Sequence, residues 1–199
     1  MARDTIETVK RVMNGDFSDA SPEERDKAVR EVLEICSIAA GAVTIQPIPF
    51  VDIALISPIQ IALVQAVGRV YGYSLDKKSV LEILSTFGAS LLAQGAIMAA
   101  AKFIPFIGWV VVPAMSFALT WAIGEVSAHY FKNGRGVSQE ELKSMFDRVY
   151  QRKKDEKTQQ HKSNTTLKER LEQLKEARRE GLLTDEEFEA KKADILKDF

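Results

Sequence analysis

His129, His161, Cys36, Asp52 and two acidic runs, Glu140-Glu141 and Asp185-Glu186-Glu187, are the side chains with the chemistry of a catalyst or a ligand set. A histidine becomes a metal ligand or a general base only beside further ligands or an orienting acid. Neither histidine has an acid or cysteine at such spacing: His161 lies in a polar stretch, and His129 stands where the last apolar segment meets polar chain. Both read as structural or surface residues. Cys36 sits in an apolar helical pattern and reads as a small core residue. As the single cysteine, it also excludes an internal disulfide. Each acidic run follows a Ser or Thr, the pattern of a helix start. A glycine loop followed by lysine, which would cradle phosphates, is missing. These residues predict a protein that is not an enzyme and holds no cofactor or metal. Asp52, a lone carboxylate between apolar segments, is a functional candidate if it lies in membrane. It reads better as a helix cap, with Gly108 at the matching site of a second copy.

The elements around these residues are more telling. Residues 35–131 carry eight charged side chains, and the other 102 residues carry 47. A soluble domain carries about a quarter of its residues as charge. This stretch must therefore be covered by lipid, by a partner or by copies of itself. Net charge is −1 with no dominant basic face, which argues against a nucleic-acid partner. Charges of both signs run to Glu34, so the N-terminus does not read as a signal peptide.

The apolar stretch repeats itself. Ile48-Pro49-Phe50 recurs 56 residues on as Ile104-Pro105-Phe106, and in the same register Ala62, Leu63, Ala66, Gly68 and Val70 meet Ala118, Leu119, Ala122, Gly124 and Val126. Repeats set architecture, so the chain is expected to hold two copies of helix, Ile-Pro-Phe turn, helix. Small residues one turn apart, Ala62 with Ala66 and Ala118 with Ala122, let helices approach closely. The predicted fold is all-α: two tandem apolar helical hairpins, flanking amphipathic helices and a separate C-terminal hairpin.

Along the chain, residues 1–34 read as amphipathic helices, the second opened by Ser21-Pro22-Glu23-Glu24. Residues 35–152 hold the repeated hairpins and a following helix capped at Ser138. Within them, Pro58 predicts a kinked or broken helix, whether it starts at Asp52 or at Ser57. One helix is expected from about Lys77 to Lys102, with Lys78, Glu82, Thr86, Ser90 and Gln94 as a thin polar stripe. Residues 153–166 read as a flexible linker. Residues 167–199 read as a helical hairpin, with Thr184 to Glu187 as a capping box and Leu183 stapled to Phe188. Helices this short are not stable alone, so Leu167, Leu171, Leu174, Leu183, Phe188, Ile195 and Leu196 are expected to join copies in a homo-oligomer.

Two resemblances follow. The region from about Val29 to Tyr150, with its paired Ile-Pro-Phe turns, resembles the bacterial domain-of-unknown-function family 697. That implies a membrane-associated, largely helical unit and a link to small GTPases; with no phosphate loop here, a GTPase would be a separate partner. The end, Leu167 to Leu196 with Glu180-Gly181-Leu182-Leu183-Thr184-Asp185-Glu186-Glu187-Phe188, looks like a short C-terminal domain (SHOCT), which implies oligomerisation.

Glu82 to Lys102 encloses 19 uncharged residues and Lys102 to Glu125 encloses 22, against the 20 or so that cross a bilayer. Arg69, Lys77, Lys78, Lys132 and Arg135 cluster at the hairpin bases, which matches entry from the cytoplasm with both termini left there. The first hairpin is too short to span, so a re-entrant or partly embedded unit is expected at the cytoplasmic face of the inner membrane. The run Arg152-Lys153-Lys154 fits anionic headgroups, though a solvated helix end explains it more simply. The rival expectation is a cytoplasmic, soluble oligomeric scaffold or adaptor, for instance for a GTPase.

Overall fold

The computed structural model describes residues 11–12, 14–44, 51–86, 88–101, 108–134, 136–179 and 184–197. Most of the first of the helices expected within residues 1–34 lies outside these, as do both turns, Ile48-Pro49-Phe50 and Ile104-Pro105-Phe106. Among the described residues the long elements are all α-helices, with no strand. Their contacts divide the chain into two units, Met1–Asp155 and Glu156–Phe199.

Helix α1 spans Pro22–Val43 and starts where its caps dictate. Ser21 N–H donates to Glu24 Oε2 at 2.8 Å and Glu24 N–H donates to Ser21 Oγ at 3.2 Å, so two amides that no helical carbonyl can reach are satisfied reciprocally. Helix α2 spans Val51–Val70. Of the kink or break expected at Ser57-Pro58, it shows no break. Proline removes one helical hydrogen bond, but Ile56, Leu63, Val64 and Val67 bury one face of α2, and tertiary burial outweighs a local defect. Asp52 is the second residue of α2 and not its cap, because the helix begins at Val51. Gly72, at φ 83°, turns the chain after α2, and Tyr73 N–H reaches back to Gly68 O at 2.8 Å.

The single helix expected from Lys77 to Lys102 is two helices. Helix α3 spans Lys77–Ser85, capped by Asp76, which accepts from Ser79 N–H at 2.8 Å. Helix α4 spans Gly88–Ala101, and the two meet at 90°. Ser85 Oγ donates to Glu82 O and Thr86 Oγ1 to Ile83 O, drawing off the carbonyls that the next turn would use, and Gly88 follows at once. Helix α5 spans Gly108–Lys132 and contains Pro113, again without a break. Gly134, at φ 63°, lies in the turn that follows it.

Helix α6 spans Gln139–Arg179, its start capped by Ser138 Oγ, which accepts from Glu141 N–H. Residues 153–166 are therefore helical rather than an irregular linker. No Gly or Pro falls between Ser138 and Arg179, and the Lys, Glu, Gln and Arg that fill the stretch are good helix formers that need no apolar face. Helix α7 spans Asp185–Lys197; Thr184 N–H donates to Glu187 Oε2 at 2.9 Å and Glu187 N–H to Thr184 Oγ1 at 3.2 Å, the expected capping box.

In the first unit α5 is the hub, packed against α1, α2 and α4. Its small residues set how close the others come. A Cβ on Gly124 would lie 2.8 Å from Leu33 Cδ1 and 3.1 Å from Leu63 Cδ2; one on Gly41 would lie 3.2 Å from Pro113 O. Ser116 Oγ bonds Ala40 O at 2.9 Å, tying α5 to α1 inside the core. Leu142, Phe146, Val149 and Tyr150, on the first turns of α6, are buried in the same core.

Candidate membrane-contact face

Helix α4 carries no charged residue over its 14 positions. In a water-soluble bundle such a helix would be covered all round. Here it is covered on one side. Ser90 and Met98 are buried and Gln94 is half-buried, whereas Leu92, Ala93, Ala96 and Ile97 are exposed. The exposed four fall at i, i+1, i+4 and i+5, a single helical face, with Leu92 77% and Ile97 54% accessible. The polar stripe expected here turns inward at Ser90 and Gln94.

Two neighbouring elements add to the uncharged surface of this unit. The second half of α1, Ile35 to Val43, has no charge and exposes Ile35, Ile38 (54%) and Ala42 at i, i+3 and i+7. Leu81 of α3 is 49% exposed. Monomeric soluble proteins rarely leave apolar side chains of this size exposed together on one element.

Helix α5 is the opposite case. Among the described residues it alone is a single helix long and apolar enough to cross a membrane, yet 78% of that stretch is buried within the unit. The bent pair α3–α4 passes the same test only if counted as one broken span. At 1.5 Å per residue α4 is about 21 Å long, short of the ~30 Å hydrocarbon core.

The small-residue pairs named from the sequence separate. Ala118 and Ala122 are fully buried where α5 meets its neighbours. Ala62 is exposed and Ala66 half-buried; both line an apolar groove of about 280 Å³ between α1 and α2, with Val32, Ile35 and Cys36. Burial of the Cys36 thiol in these surroundings pushes its pKa up to about 11, so it stays protonated and unreactive at neutral pH. In the C-terminal unit Leu174 and Phe188 are buried, Leu171 is half-buried and Leu196 is 51% exposed. The side chains of Leu167, Leu183 and Ile195 lie outside the description. Arg178 and Lys192 flank the Phe188 ring at 4.9 and 5.8 Å. His129 bonds Glu141 at 2.9 Å and belongs to no group of metal-ligating residues among those described.

The charged groups of the first unit gather elsewhere. Lys132 Nζ reaches both Asp26 oxygens at 3.0 Å, and Arg152 reaches Glu125 at 3.1 Å. Tyr71 donates to Asp26 at 3.4 Å; burial first, and the Asp26 charge second, push its pKa up to about 12. These pairs join residues 106 and 27 positions apart, and no local pattern announces them. The exposed face of α4 did have a local signal: Leu92, Ala93, Ala96 and Ile97 fall at i, i+1, i+4 and i+5 with no charge among them.

Among characterised proteins, the chain is 28% identical over 121 residues to Magnetosome membrane protein 22 of Magnetospirillum gryphiswaldense; the match covers 57% of this chain and 62% of that protein. The chain thus spans less than two thirds of its relative. No solved structure matches it. Residues 169–196 match the short C-terminal domain, SHOCT. Residues 17–155, which include α1 to α5 and the start of α6, match the domain of unknown function DUF697, and the chain belongs to that family.

Proposed function

We propose that this is a non-enzymatic, membrane-associated protein that meets lipid through α4 and joins copies or recruits a partner through its C-terminal hairpin. The observation that carries the reading is the exposed, uncharged face Leu92, Ala93, Ala96 and Ile97. Fully burying a large apolar side chain in lipid is worth at most roughly 1.5–3 kcal/mol, so Leu92 and the half-exposed Ile97 supply a reversible contact, to which the exposed Ile38 and Leu81 add. The length of α4 fits a re-entrant or interfacial helix better than a span. A relative that is itself called a membrane protein supports the same assignment. In this reading the unit sits at the cytoplasmic face of a bacterial inner membrane, with its charged parts and both termini in the cytoplasm. Oligomer contacts run through Leu171 and Leu196, with Leu174 and Phe188 holding the hairpin together.

Flotation of the full chain with vesicles tests the lipid contact. The native chain is expected to float, and the double variant Leu92→Glu, Ile97→Glu to stay in the dense fraction with an unchanged melting temperature. A native chain that stays soluble beside vesicles removes the membrane assignment. It would leave the second reading, a soluble oligomeric scaffold or adaptor, for instance for a GTPase, which the burial of α5 as a core helix favours. Light scattering with and without residues 167–199 then reads the assembly: a size unchanged by truncation argues against contacts through the hairpin.

A further inference from the structure

Between α1, α5 and the start of α6 lies a cleft of about 510 Å³. Its floor is apolar, with Val29 and Leu33 from α1 and Ala128 from α5. Its rim is charged. Arg30, Lys132, Arg152 and Lys153 line it together with two carboxylates, Asp26 and Glu125. Both carboxylates are already engaged. Asp26 holds Lys132 with both oxygens, and Glu125 accepts from Arg152 at 3.1 Å and from the Trp121 indole N–H at 2.7 Å. Lys153 lies 4.6 Å over the Trp121 ring. Arg30 makes no hydrogen bond or ion pair among the described residues, although it lines the same cleft.

The charged residues that line the cleft sum formally to two positive charges above a low-dielectric floor, an arrangement that focuses a positive field into it. Its carboxylates are occupied, so they hold the cations in place and leave little to attract a cation from solution. A guanidinium without a partner offers a planar fork of donors that suits a tetrahedral oxyanion. The volume is that of a small-molecule site. We propose that this cleft binds a phosphate group of charge about −2, with Arg30 and Lys153 as its principal contacts and Trp121 as the wall it lies against. The phosphate can belong to a free phosphate compound or to a lipid headgroup.

The test uses the full chain with Trp109→Phe, which leaves Trp121 as the one indole of the two in the sequence. Pyrophosphate is titrated in lipid-free buffer, and short-chain phosphatidylglycerol below its micelle concentration in a parallel arm. A saturable change in Trp121 emission, beyond that caused by sodium chloride at equal ionic strength, is expected in at least one arm. Pyrophosphate alone producing it assigns the free compound; the lipid alone assigns the headgroup. In the responding arm Arg30→Ala and Lys153→Ala each shift the midpoint by ~10-fold or more, the loss of one charge-assisted contact. Lys27→Ala, an exposed cation nearly one turn before Arg30 and outside the cleft, leaves it in place. No saturable response in either arm, a response that chloride reproduces, or one that survives both Arg30→Ala and Lys153→Ala overturns the proposal.

Discussion

Helices α4 and α5 are both nearly free of charge, and they live in opposite surroundings. Helix α5 is surrounded by α1, α2 and α4, and its small residues, Ala114, Ser116, Ala118, Thr120, Ala122 and Gly124, let those neighbours come close. Helix α4 has neighbours on one side and presents Leu92 and Ile97 outward. Hydropathy along the sequence treats the two alike. What separates them is tertiary cover, and the cover reverses the simplest expectation: the helix long enough to cross a bilayer is the one hidden from it.

The sharpest way to break this contrast is to place a carboxylate in each helix. Ile123→Asp puts an unpaired charge at a site with no solvent exposure and is expected to cost more than about 4 kcal/mol, seen as loss of the cooperative thermal transition by circular dichroism. Leu92→Asp should leave that transition within a few degrees while abolishing vesicle binding. If Leu92→Asp unfolds the chain as Ile123→Asp does, α4 is core and the contrast fails.

Glycines give a finer comparison. Gly124→Ala drives a methyl to 2.8 Å from Leu33, whose own side chain is buried and has nowhere to withdraw, so a loss of about 1–3 kcal/mol is expected in a urea titration. Gly95→Ala on α4 meets nothing within 4 Å and should stabilise by about 0.5–1 kcal/mol through helix propensity alone. Equal signs for the two would contradict the difference in cover.

The smallest effect concerns alkaline pH. Helix α4 has no titratable side chain, whereas Tyr71 and Tyr150, elsewhere in the first unit, have pKa values pushed up to about 12, chiefly by burial. A phenol whose folded pKa exceeds its unfolded value of 10 contributes stability in full below pH 10 and loses it as pH rises towards 12. The urea midpoint should therefore fall between pH 10 and 12, and fall less in Tyr150→Phe, whose parent hydroxyl is buried with no hydrogen-bond partner among the described residues. A midpoint flat across that range would place these rings in water.

The caps at Ser21 and Thr184 were legible because a capping box is written in four consecutive residues. The break between α3 and α4 was not, since no proline marks it; Ser85, Thr86 and Gly88 act through side-chain bonds and propensity too weak to read in isolation. Pro58 marks a kink or a break in the sequence, and the helix around it continues without a break because burial along one face outweighs the lost hydrogen bond. The stretch 153–166 has almost no apolar spacing and no cap of its own, so the sequence reads there as linker, although its Lys, Glu and Gln favour a helix. Ala62 and Ala118 match in the expected repeat, yet one is exposed and the other is fully buried. Position in a repeat says which residues are alike, and only the surrounding helices decide which are covered. The cleft beneath Arg30 and Lys153 belongs to the same class: its parts are charges scattered over more than a hundred residues.

Helix α1 finds its main partner in α5, through bonds that span 76 residues at Ser116 to Ala40 and 106 at Lys132 to Asp26. On a ribosome adding about 5–20 residues per second, the greasy half of α1 emerges seconds before the strut that will shelter it exists. Until residue 150 has been made, the nascent chain has no way to finish its own interior. Whatever meets it in that interval, lipid or chaperone, reaches those side chains first.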